Sequence, residues 1–88
     1  MSAASDPDGL GGADGLVLDC RQMRCPRPII ELARAITGVE TGALLGVAAT
    51  DEAARVDVPA WCRMTGQEYV GERAAPDGVP VYWVRRLT

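Results

Sequence analysis

Leu18-Asp19-Cys20-Arg21-Gln22-Met23-Arg24-Cys25-Pro26-Arg27-Pro28 closes an apolar segment and opens a helical one, so it sets a cysteine where strand gives way to helix. Pro26 suits the first helical position, where its fixed φ is already helical and its missing N–H has no intrahelical partner to lose. That reading makes Cys25 the N-cap, facing the free N–H groups of the first turn and the positive end of the helix dipole. Arg24 and Arg27 flank it, and the donors available to its sulfur are the N–H groups of Arg27, Ile29 and Ile30. Such surroundings predict a thiolate: at the ordinary pKa of about 8.5 a cysteine is a few per cent ionised at neutral pH, whereas at about 7 it is half ionised. The alternative is an inert packing residue, which free cysteines often are.

Upstream, Leu16, Val17 and Leu18 form a short apolar run that reads as a buried first strand. Residues 1–15, with four glycines, three aspartates and little to pack, have the composition of a flexible tail, which leaves 16–88 as one small domain. Downstream, Pro26 to Thr37 carries Ile29, Leu32, Ala33 and Ile36 at helical spacing, with Ile30 broadening the face and Gly38 as the stop. Ala43 to Thr50 reads as a central strand. Strand, helix and strand in that order make a parallel pair with a right-handed crossover, which puts Cys25 at the carboxyl end of the first strand.

Asp51 to Thr65 is helical up to Gly66, and Pro59 leaves two versions open: one helix from Asp51 that kinks, or a turn followed by a helix capped by Asp57. Val58, Trp61, Cys62 and Thr65 share its inward face, so Cys62 reads as core. Gln67–Ala74 and Pro80–Leu87 then form a hairpin about Ala75-Pro76-Asp77-Gly78. In the last strand either Val81 and Trp83 or Tyr82 and Val84 could face the helices. The expected fold is α/β: a two-layer sandwich of order βαβαββ, with a four-stranded mixed sheet and two helices on one face.

Composition excludes several functions. The net charge of −3 comes from Asp6, Asp8 and Asp14 of the tail, and from Leu16 onward nine acidic residues balance nine arginines. A neutral domain with four aromatic residues argues against direct nucleic-acid binding. Zinc is argued against by the absence of histidine and by the four residues between Cys20 and Cys25. The N-terminus has no basic or apolar signal region and no stretch is long enough to span a membrane, so a cytoplasmic location and free thiols are expected.

The Cys25-Pro26-Arg27-Pro28 run resembles the CPxP signature of the TusA/SirA-like sulfur-carrier family, and Leu18-Asp19 matches the family's Leu-Asp at this spacing. Asp57-Val58-Pro59-Ala60-Trp61-Cys62 is similar to the family's Asp-Ile-Pro followed by an aromatic residue and cysteine. Gln22 departs from the pattern, standing where the family has glycine. The resemblance implies a carrier whose Cys25 holds a persulfide sulfur, supported by Asp19, Arg24, Pro26, Arg27 and Pro28. It implies no cofactor, a cysteine desulfurase or rhodanese-like donor, and a downstream acceptor protein. Such a chain is a sulfurtransferase in the sense of a persulfide carrier, not a multi-turnover enzyme on a small substrate. Arg63 could add docking charge, and pathways such as tRNA thiolation, molybdenum-enzyme sulfuration or synthesis of a sulfur-containing metabolite fit equally. Two other readings stay open: a redox protein in which Cys20 resolves an oxidised Cys25, and a non-catalytic RNA- or protein-binding module.

Overall fold

The computed structural model describes residues 15–88. The tail read from residues 1–15 therefore lies outside the described residues, save for Gly15, which opens the first strand. The elements are β1 (Gly15–Asp19), α1 (Arg27–Ala35), a 3₁₀ turn (Ile36–Gly38), β2 (Leu44–Ala48), α2 (Ala53–Thr65), β3 (Glu68–Ala74) and β4 (Pro80–Arg85). The sheet order is β1-β2-β4-β3, with β1 and β2 parallel and the other pairs antiparallel. This is the expected mixed-sheet βαβαββ sandwich.

Period-two alternation divides the sheet into two faces. Leu45 and Val47 of β2 with Tyr82 and Val84 of β4 point to the helices, where they meet Leu32, Ile36, Val58, Trp61 and Cys62 in one core. The choice left open for the last strand is thus resolved in favour of Tyr82 and Val84. Val81 and Trp83 pack on the opposite face with Ala48, Leu44, Ala75 and Val79. Trp83 lies across Gly46, where a Cβ would come within 3.0 Å of the indole and 2.9 Å of Val81 Cγ1. A side chain at Gly46 would displace the ring that covers this face.

The buried stripe of α1 is Pro28 and Leu32, followed by Ile36 in the 3₁₀ turn, with Ile29 and Ala35 half-buried beside them. Ala33, expected on that face, is exposed, because the stripe centres on Leu32 and Ala35 falls beside Ile36. Gly38 does not end the helix as a left-handed cap. The chain tightens into the 3₁₀ turn instead, and the Thr37 hydroxyl satisfies the Arg34 carbonyl at 2.8 Å.

α2 runs from Ala53 unbroken through Pro59, so it is one helix and does not start at a cap on Asp57. Proline there removes one backbone bond, while Ala54, Val58, Trp61 and Cys62 stay buried along one side. Gly66 takes the left-handed conformation at φ 81° and donates to the Cys62 carbonyl at 3.0 Å, ending the helix as the sequence implied. Arg55 grips Glu72 with two bonds of 3.1 and 3.0 Å, tying α2 to β3.

Candidate functional site

The loop from β1 to α1 is pinned along its length. Cys20 N–H continues the sheet pairing to the Ala48 carbonyl at 2.8 Å, and Met23 N–H closes a turn on the Cys20 carbonyl at 3.1 Å, with Gln22 inside that turn. The Thr50 hydroxyl donates to the Arg21 carbonyl at 2.6 Å. Arg21 bridges Asp19 and Asp77, each at 2.9 Å, joining the loop to the β3–β4 turn. These contacts hold the carboxylates of Asp19 and Asp77 below the usual range. For Asp19 the Arg21 bonds are the main cause, and for Asp77 it is the Val79 N–H.

Cys25 sits at the exposed end of this loop. It precedes the N-cap instead of occupying it. The N-cap is Pro26, whose carbonyl accepts from Ile29 and Ile30 N–H at 3.1 Å each, and the Cys25–Pro26 peptide is cis. Arg27 N–H is taken by the Arg24 carbonyl at 2.7 Å. All three donors expected for the sulfur are therefore bonded to backbone.

What meets the sulfur comes from α2. The Cys25 thiol donates to Asp57 Oδ2 at 3.2 Å, and the Cys25 N–H donates to Asp51 Oδ2 at 2.8 Å. Asp51 also accepts the Ala53 N–H at 3.0 Å through Oδ1, so one carboxylate caps the start of α2 and fixes the cysteine backbone. Those two bonds lower the Asp51 pKa. The thiol pKa of Cys25 is raised, first by its bond to Asp57, then by partial desolvation and by the charges of Asp57 and Asp51. The thiolate expected from the sequence is thus corrected. The carboxylates of Asp57 and Asp51 favour the thiol, and the helix N–H groups that would have opposed them are engaged elsewhere.

The other cysteines are core. Cys20 is 1 % exposed and Cys62 2 %, and burial raises both thiols, that of Cys62 to about 11. The structure does not present Cys20 as a second surface thiol. Arg24 and Arg27 are exposed near Cys25, Pro26 is exposed and Pro28 is buried.

Concave surfaces lie on both sides of the cysteine. One, of about 410 Å³, is polar and lined by Arg21, Gln22, Met23, Arg24, Thr50 and Asp51. The other, of about 270 Å³, is apolar and runs between α1 and α2, lined by Pro26, Ile29, Asp57, Ala60, Trp61 and Met64.

Sequence reasoning named Cys25 and its loop but missed Asp51 and the contact made by Asp57. Asp57 was visible as part of the Asp-Val-Pro run, and its role depended on how α1 and α2 cross.

A two-layer α/β sandwich that offers one exposed cysteine at a strand-to-helix loop defines a class of small thiol-bearing domains. Residues 16–86 match the family model described as sulfurtransferase TusA, and the chain belongs to that sulfur-carrier family. It is 37 % identical over 70 residues to the sulfur carrier protein TusA of Pseudomonas savastanoi pv. phaseolicola, covering 80 % of this chain and 82 % of the relative. Against TusA of Pseudomonas aeruginosa the identity is 36 % over 70 residues, covering 80 % and 87 %. Among solved structures, a SirA-like protein from Desulfitobacterium hafniense shares the fold with a TM-score of 0.69 at 18 % identity, over 82 % of this chain and 97 % of that one.

Proposed function

We propose that Cys25 is the atom that carries the sulfur, taking it from the persulfide of a cysteine desulfurase or rhodanese-like protein and passing it to an acceptor protein. The observation that carries this reading is the isolation of Cys25: of three cysteines it alone is exposed, on a loop held by β2, α2 and the β3–β4 turn. A sulfur that must visit two proteins needs such a rigid, accessible perch. Arg24 and Arg27 beside it, with Arg63 farther along α2, supply docking charge, and Asp19 with Arg21 holds the loop's shape. The chain acts as a cytoplasmic relay, not as an enzyme turning over a small substrate, and serves a route such as tRNA thiolation, molybdenum-enzyme sulfuration or sulfur-metabolite synthesis. No helix among the described residues is long and apolar enough to cross a membrane.

The test is intact mass after incubation with a cysteine desulfurase and cysteine. Wild type and Cys20→Ser gain about 32 Da, one persulfide sulfur, which reductant removes, and Cys25→Ser gains nothing. If Cys25→Ser still loads, or if Cys20→Ser alone abolishes loading, the assignment is wrong.

A further inference from the structure

Among the described residues, the bond from Cys25 to Asp57 is the one polar contact of the Cys25 sulfur, and it comes from a helix whose next residue, Val58, is fully buried. Its acceptor is a carboxylate with no proton to give, so the bond exists only while the sulfur is protonated. Loading lengthens the side chain by one S–S bond of about 2.05 Å, which keeps the outer sulfur within reach of the same carboxylate.

We propose that Asp57 is a positioning residue for the transferred sulfur, its carboxylate holding first the Cys25 thiol and then the outer sulfur of the loaded persulfide hydrogen-bonded in the protonated form. This rests on Cys25 being the carrier. In loading, the sulfur of Cys25 attacks the outer sulfur of the donor R–S–SH. A new S–S bond forms at Cys25, the donor's S–S bond breaks, and the electron pair stays on the donor's inner sulfur, which takes up the proton given up by the Cys25 thiol. In unloading, an acceptor thiolate attacks the outer sulfur, Cys25 leaves with the electron pair, and the proton released by the acceptor thiol restores the bond to Asp57. Each exchange moves one sulfane sulfur and consumes no oxidant or reductant.

Protonation matters in the second exchange. An outer sulfur that is already anionic repels the attacking thiolate, whereas –S–SH can receive it. Before loading, the same contact makes a free-standing Cys25 a poor nucleophile toward stray disulfides and electrophiles. The charged groups about the sulfur are Asp57 on α2, Asp51 at its start, Arg24 on the cysteine's own loop and Arg27 opening α1. The two carboxylates act on the Cys25 thiol, and the charge of Arg24 acts on Asp51.

The experiment compares wild type, Asp57→Asn and Asp57→Glu, each checked for an unchanged melting temperature and far-UV spectrum. The Cys25 thiol is titrated by the pH dependence of its alkylation. The persulfide, made chemically with polysulfide so that no donor protein is needed, is titrated by the absorbance of its anion. Asp57→Asn is expected to move both midpoints to lower pH and to alkylate several-fold faster at neutral pH, while Asp57→Glu, which keeps the carboxylate, stays near wild type. Unmoved midpoints in Asp57→Asn, or a Glu variant that behaves like Asn, would overturn the proposal. Because loading is chemical, that result is separate from any failure of a desulfurase to load Cys25.

Discussion

At the residue scale, three cysteines occupy two kinds of environment, and the environments decide the chemistry. Cys20 and Cys62 are desolvated in the core, so neither access nor ionisation favours reaction, whereas Cys25 is open to solvent and restrained only by carboxylates. Native protein treated with a small alkylating agent at pH 8 is therefore expected to gain one adduct, on Cys25, and three only after unfolding. Comparable modification of Cys20 in the native state would contradict its packing and revive a two-thiol redox role. The place of Cys25 on the strand-to-helix loop was legible in the sequence because its signals are local: an apolar run, a proline pair and a helical period. Its protonation was not, because Asp57 is 32 residues away and the competing donors were spent on backbone carbonyls that a sequence does not display.

At the level of elements, α2 does more than cover the sheet, since Asp51 just before it and Asp57 within it both bond Cys25. Asp51 accepts one N–H from α2 and one from Cys25, and its pKa is lowered by those bonds. A carboxylate whose folded pKa lies below its unfolded value stabilises the fold fully above that unfolded value, here 3.8, and loses the contribution as pH falls through the folded pKa. Asp19 and Asp77 share the direction, so acid loosens the loop from both of its anchors. Asp51→Asn should melt lower than wild type at pH 6, with the gap closing toward pH 2 as the wild-type carboxylate is protonated. A gap that stays constant down to that pH would show that the charge on Asp51 contributes nothing. The element order was readable throughout, and Gly66 as a stop was too, because a glycine after the last inward residue has one good use. Gly38 misled because a 3₁₀ turn with a Thr37 side-chain bond can end a helix equally well. Pro59 left α2 ambiguous in sequence, since whether four buried side chains outweigh one missing bond is decided by packing.

For the molecule as a whole, the two faces of the sheet divide the work. One supports the helices. On the other, Trp83 lies on Gly46, while the apolar groove lined by Pro26, Ile29, Ala60, Trp61 and Met64 lies on the helical side, beside the Cys25 loop. Balanced charge from Leu16 onward gives no strong long-range steering, so recognition of a donor must come from local contacts. The apolar groove between α1 and α2 offers a surface for such contacts, with Met64 standing 81 % exposed at its margin and Pro26 joining it to the Cys25 loop. A flexible, polarizable side chain of this kind packs against varied partners, which suits a surface that must receive both a donor and an acceptor. Met64→Glu places a charge in that groove without disturbing the core. Loading by a cysteine desulfurase is expected to slow by about tenfold, the scale of losing one well-packed interface anchor. Chemical loading with polysulfide and the melting temperature should stay as in wild type, because Cys25, Asp51 and Asp57 are untouched. Equal desulfurase loading of the variant and wild type would move the docking surface to the polar concavity on the other side of Cys25, where Arg21 and Arg24 would be the groups to test next.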